Sequence, residues 1–169
     1  AGSMDFTPGI FNFTNKVLPD THPQTTLAKQ LAEYVLLYSP WQMAADMIEN
    51  YEHQPAFSFV ESVPTDWEKT VVVNAKIGNY ITIARKDKAS DDWYVGSATD
   101  VDARDLSIDL SFLDKDREYM AEVYADGPGA DFRSNPYPLM YQRIKVTYAS
   151  SLRLHLAPSG GAAVRIKAL

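Results

Sequence analysis

After Glu68 the apolar residues settle into a period of two and keep it to the end of the chain. Successive side chains of a strand point to opposite faces of a sheet, so this rhythm restricts the fold more than any other feature does. Val71, Val72 and Val73 are strand-like, as are Tyr80, Ile81, Thr82 and Ile83. Trp93 and Val95 then alternate with Asp92 and Tyr94, and Leu106, Ile108, Leu110 and Phe112 alternate with Ser107, Asp109 and Ser111. Three further runs, from Tyr119, Ile144 and Leu152, repeat the pattern, and Ala162, Val164 and Ile166 close it. Turn-forming residues separate the runs at Gly78-Asn79, Ser90-Asp91, Asp114-Lys115-Asp116, Asp126-Gly127-Pro128-Gly129 and Pro158-Ser159-Gly160-Gly161. About eight strands with one apolar face each predict an antiparallel two-sheet β-sandwich.

Residues 1–67 follow a different period. Leu27, Leu31, Tyr34, Val35 and Tyr38 fall on one face of a 3.6-residue repeat, and Ala28, Ala32 and Leu36 form a second stripe beside it. The spacing predicts a helix starting near Thr21 or Thr25 and ending at Ser39-Pro40. Ser39, Pro40 and Gln42 then read as N-cap, first helical position and N3 of a second helix, ending near Tyr51. One more helical turn fits between Pro55 and Val63, closed by Pro64. A first helix this apolar around its girth needs cover on more than one side. The expectation is that Leu27, Leu31, Val35 and Leu36 cannot all be buried by this chain alone.

Charge is lopsided. Residues 1–67 hold eight Asp/Glu and two Lys/Arg, and the remainder holds fourteen of each, so the whole net charge of −6 sits in the first part. An acidic chain with no basic patch is a poor partner for nucleic acid. The chain lacks cysteine, which removes disulfides, thiolate metal sites and a Cys nucleophile. No apolar run approaches the roughly 20 residues that span a bilayer.

Few residues read as chemistry. His22, His53 and His155 sit at a helix start, in a polar stretch and at an outward strand position, which gives no base for a serine triad and no zinc cluster. Residues 114–118 begin like a calcium loop, but Tyr119 stands where the loop needs glycine, so the stretch reads as a charged turn. Asp91-Asp92 and Asp100-Val101-Asp102 read the same way. Asp46, Glu49 and Glu52 fall along one stripe, read as a solvated or domain-facing acidic edge. Asp5 precedes Thr7-Pro8-Gly9, where a barrel strand would end and present a site residue. Tyr80, Tyr94 and Tyr124 occupy the register opposite the apolar faces of their strands. They predict either a platform for sugar rings or, the bland reading, a face that packs against a neighbouring domain.

Several stretches taken together resemble glycoside hydrolase family 97: MDFTPGIF (4–11), TTLAKQLAEYVLLYSPWQMAADMIENYE (25–52), VPTDWEKT (63–70), ITIARK (81–86), WYVGSATD (93–100), LSFLDKDREY (110–119) and APSGGAAVRIK (157–167). The likeness covers essentially the whole chain, in order, and includes AGSMD at its start. It implies an α+β fragment. The terminal piece of a (β/α)8 barrel (1–67) would hold the last strand, the last helix and the exit helices, followed by a C-terminal β-sandwich (68–169). The implied parent is an exo-acting α-glucosidase or α-galactosidase, periplasmic or secreted, with catalytic glutamates and Ca2+ ligands upstream of this segment. No catalytic residue of the family maps onto this chain, and either stereochemical outcome is open. Barrel geometry makes Met4, Asp5, Phe6, Thr7 and Pro8 the candidate sugar-lining residues. The expected partners are the remainder of the parent, an α-linked oligosaccharide and a second copy of the chain, met through the exposed helix or the sandwich. The alternative is a stand-alone sugar-binding or oligomerisation sandwich without catalysis.

Overall fold

The computed structural model describes residues 5–18 and 21–169. Met4 and the residues before it therefore lie outside the described part. Among the described residues the chain runs α1 (Leu27–Leu36), α2 (Phe57–Ser62), β1 (Trp67–Lys76), β2 (Tyr80–Asp87), β3 (Trp93–Thr99), β4 (Arg104–Asp109), β5 (Tyr119–Asp126), β6 (Leu139–Val146), β7 (Ser151–Leu156) and β8 (Gly161–Ala168). Six strands form one antiparallel sheet in the order β1-β2-β3-β8-β5-β6, and β4 pairs with β7 in a second. Each alternating run becomes a strand, although β6 begins at Leu139, well before the run expected from Ile144, and β4 ends at Asp109, short of Phe112.

The two sheets enclose Trp93, Val95, Ile108, Leu110, Tyr119, Ala121, Val123, Leu152, Leu154, Leu156, Val164 and Ile166. The other face of the large sheet is also buried, because α1, α2 and the segment before them lie across it. Facing α1, β3 and β8 present Gly96 paired with Ala163 and Ala98 paired with Gly161. A Cβ on Gly96 would stand 2.6 Å from the Ala32 carbonyl oxygen, and one on Gly161 would stand 2.7 Å from Lys29 Cα. Small residues let the helix sink onto the sheet, and its Leu27, Leu31 and Val35 become fully covered.

The expectation that not all four side chains are buried holds, but only through Leu36. Leu27, Leu31 and Val35 are buried and Leu36 is half-buried, and most of the cover comes from the sandwich of the same chain. The exposed apolar side chains instead follow the helix: Leu37, Tyr38, Trp41, Met47 and Ile48. The helix itself starts one residue after Thr26, whose hydroxyl accepts from Lys29 N–H as its N-cap.

The second helix predicted from Pro40 to Tyr51 does not form. Residues 41–45 run extended beside residues 6–8, with Phe6 and Gln42 in a parallel bridge. Phe6 N–H donates to Trp41 O at 3.2 Å, Met43 N–H to Phe6 O at 3.2 Å and Ala45 N–H to Pro8 O at 3.0 Å. Ser39 Oγ turns back on Trp41, accepting from its N–H and donating to its carbonyl, so it makes a turn where the N-cap reading placed a helix start. Only a 3-10 turn at Ile48–Asn50 remains of the predicted helix. The turn expected between Pro55 and Val63 is α2.

Candidate functional site

The parallel pair ends at a loop whose backbone is held almost entirely by side chains. Pro8 O accepts from Tyr34 Oη at 3.2 Å, and Gly9 O accepts from Tyr51 Oη at 2.7 Å. Gly9 and Ile10 N–H both donate to Gln30 Oε1 at 3.0 Å. Phe11 and Asn12 N–H donate to Asp46 Oδ2 at 2.8 and 2.7 Å, and Phe13 N–H donates to Tyr137 Oη at 3.0 Å. Gly9 adopts φ +89°, which glycine tolerates, and any Cβ there would strike Tyr34 Oη. Pinning six consecutive residues this way fixes the loop before any ligand arrives.

Of the strand-end residues singled out in the sequence, Pro8 is buried against Tyr34 and Phe6 is half-buried, while Asp5 and Thr7 are exposed. Asp46 is neither a free acidic edge nor a proton donor. Burial pushes its carboxyl up, but hydrogen bonds from Asn50, Asn12, Met47 and Phe11 outweigh that and hold it below the usual carboxylate range. Its task is to hold the loop. Glu49 and Glu52 are exposed and stand apart from the cluster. Sequence reading missed Gln30, Tyr34 and Tyr51 as loop clamps. For Gln30 and Tyr34 the signal was present, because an amide and a hydroxyl on an otherwise apolar helix need polar partners.

The three tyrosines do not make one platform. Tyr94 and Tyr124 lie on the helix side of the sheet, buried around Phe59 at ring distances of 6.1 and 5.6 Å. Tyr94 Oη donates to Ser62 O, and Tyr124 Oη lies 2.9 Å from Ser58 Oγ. Tyr80 pairs with Thr99 on the opposite face, half-buried under the Arg104 guanidinium. The sequence register missed this because β3 and β5 are apolar on both faces, so "opposite the core" meant a second core.

The sandwich also grips both ends of α1. Arg85, buried in β2, donates from Nε to Val35 O at 2.6 Å and from Nη2 to Leu36 O at 3.4 Å, placing a cation at the negative end of the helix. At the other end Pro136 O accepts from Leu27 N–H at 2.9 Å. Lys29 Nζ reaches Thr99 O and Ser159 Oγ, and Ser159 Oγ donates to Gln24 O. Nearby Asp126 Oδ2 accepts from Ala157 and Gly161 N–H at 2.8 Å, and burial pushes this carboxyl up. Burial likewise lifts Glu33, on α1, to about 7 despite Lys29 one turn away.

Among the described residues nothing else gathers into a reactive cluster. His155 Nδ1 meets the exposed Asp105, His22 Nδ1 lies near Pro23 O, and His53 is exposed. Asp100 is held down to about 2 by hydrogen bonds from Asn79 and Asp102 N–H and by Arg104, as a turn anchor would be. Among the described residues no group of three or more His, Asp or Glu is placed to hold a metal ion, so no calcium chemistry is derived from this chain.

Residues 66–167 match a family model described as "Glycosyl-hydrolase 97 C-terminal, oligomerisation". Over 99% of its length the chain is 35% identical to a retaining α-galactosidase of Bacteroides thetaiotaomicron, of which it covers 25%. It is 28% identical to a probable retaining α-galactosidase of Streptomyces bingchenggensis over 75% of its length, covering 19% of that protein. A family 97 enzyme of Pseudoalteromonas sp. strain K8, solved in complex with panose, superposes with a TM-score of 0.93 at 46% identity over the whole chain and 27% of its own. The chain thus spans about a quarter of the length of these relatives. With the antiparallel sheets and the matched segment in agreement, the chain belongs to glycoside hydrolase family 97 and carries that family's C-terminal domain.

Proposed function

We propose that this chain is the closing portion of an exo-acting α-glycosidase. In this reading residues 5–65 complete the parent's (β/α)8 barrel, and the sandwich braces what they complete. The observation that carries it is the parallel bridge between Phe6 and Gln42 with α1 between the two strands. A parallel pair joined through a helix is the repeating unit of such barrels. The exposed Trp41, Met47 and Ile48 are then the surface that the preceding barrel segments cover. The sugar-lining assignment narrows to Asp5 and Thr7, the strand's exposed side chains. The glutamates that flank the scissile bond, and any calcium, belong to the parent's upstream barrel, in a periplasmic or secreted protein. Relatives that include an α-galactosidase and a panose complex support α-galactosides or α-glucosides as the substrate class. The description of the matched domain supports a second role, association between copies.

The test is hydrolysis of 4-nitrophenyl α-galactoside and α-glucoside by the chain alone and by the chain joined to its upstream barrel. We expect no turnover from the first and turnover from the second. Hydrolysis by the chain alone overturns the reading. Sedimentation velocity of the same two proteins checks association.

A further inference from the structure

A hollow of about 470 Å3 opens where the strand-end loop meets the connection between β5 and β6. Phe13, Thr14, Asn15 and His22 form one wall, and Arg133 and Tyr137 of the sandwich form the other. We propose that this hollow binds one pyranose unit of an α-linked oligosaccharide. The proposal rests on the α-glycosidase reading and adds to it a site to which the sandwich itself contributes.

Both walls are fixed in advance. Tyr137 accepts from Phe13 N–H, and the two rings meet edge-on at 5.4 Å. The Pro136 carbonyl caps the first turn of α1. Asp131 Oδ1 accepts from the N–H groups of Arg133 and Ser134, which sets the turn that carries the arginine. Preorganised walls spare a weak ligand the cost of ordering them.

The chemistry suits a neutral sugar. Tyr137 is 41% exposed, so part of its ring is open to the apolar face of a pyranose, and its hydroxyl proton has no acceptor among the described residues. The Arg133 guanidinium lies over the Phe132 ring and forms no ion pair among the described residues, which leaves its donors for sugar hydroxyls. Asn15 and His22 add polar groups. The Asp131 carboxylate in the same turn offsets the arginine charge, which disfavours a bare anion. The volume lies within the range usual for small-molecule sites. The hollow also lies along the loop that leads from residues 6–8 into α1, the kind of loop from which barrel enzymes build their substrate sites.

The test is titration of this chain with panose and, separately, with raffinose, followed by protein-observed NMR. We expect saturable shifts at Phe13, Asn15 and Tyr137 with one or both sugars, and the responding sugar distinguishes a glucoside from a galactoside. Tyr137→Ala and Arg133→Ala should each weaken binding about tenfold, the scale of a lost stacking or charged contact. Tyr80→Ala, on the far face, should leave it unchanged. Arg133→Ala decides the matter if Tyr137→Ala loosens the loop, because the arginine side chain makes no hydrogen bond within the described protein. Absence of saturable shifts, or binding that survives both variants, overturns the proposal. Hydrolysis by the barrel-joined protein does not depend on this hollow, so retained hydrolysis without binding overturns the hollow alone.

Discussion

In the sandwich, backbone meets backbone: every strand of the six-stranded sheet pairs antiparallel with its neighbours, and side chains mostly fill the space between layers. In residues 5–65 that proportion is reversed. Apart from three bonds along the parallel pair, the strand-end loop rests on Gln30, Tyr34, Asp46, Tyr51 and Tyr137, and α1 rests on Arg85 and on a floor of small residues. The first region is held by its own backbone ladders and the second borrows its order. Backbone ladders tolerate substitution because they need no particular side chain. A loop held by five side chains can be undone through any of them, and its precision depends on the whole set.

The contrast is broken most severely at the seat of α1. Gly96→Val drives a branched side chain into the Ala32 carbonyl and the Val35 side chain. Overpacking of this kind costs roughly 3 kcal/mol or more. Limited proteolysis should then cut within residues 5–65 while the β signal of the sandwich in circular dichroism persists. Simultaneous loss of both would show that the sandwich is not self-sufficient.

Arg85→Ala sharpens the comparison less violently. It strips two carbonyls at the end of α1 of a charged donor and should cost about 2 kcal/mol, read as a lower urea midpoint. Arg85→Lys should recover only part of that loss, since an ammonium cannot reproduce the guanidinium fork.

The smallest effect is a gain. Glu33 rises from 4.5 unfolded to about 7 folded, so its favourable contribution is full below about 4.5 and is lost as pH climbs through 7. Glu33→Gln should therefore leave stability unchanged at pH 4 and increase it by about 1 kcal/mol at pH 8. That is well short of the roughly 3 kcal/mol the shift implies, because the carboxyl is partly open to solvent. A gain that is the same at both pH values would locate the effect elsewhere.

How much was legible in the chain follows the same division. The sandwich could be read strand by strand, since a period of two survives any packing. The first helix and the turn at Phe57–Ser62 were also visible, from period and from proline punctuation. Residues 41–45 were misread because a short apolar run fits a helix and a buried strand equally well, and Ser39-Pro40 tipped the reading towards a helix. What decided it was Phe6, more than thirty residues away, whose N–H and carbonyl pair with Trp41 and Met43. Asp46 and Tyr137 were illegible as clamps for the same reason: they lie far from residues 11–13 in sequence and announce their partners only once folded.

The glycine floor beneath α1 has a consequence for anyone recombining such enzymes. A crossover placed at Thr65, between the last helix and the first strand, would look natural by sequence. It would set a foreign helix on a depression moulded to Ala32 and Lys29, and would strand the Arg85 guanidinium without its two carbonyls. The exchangeable cassette begins earlier, before Thr7, so that strand end, helix and sandwich travel together.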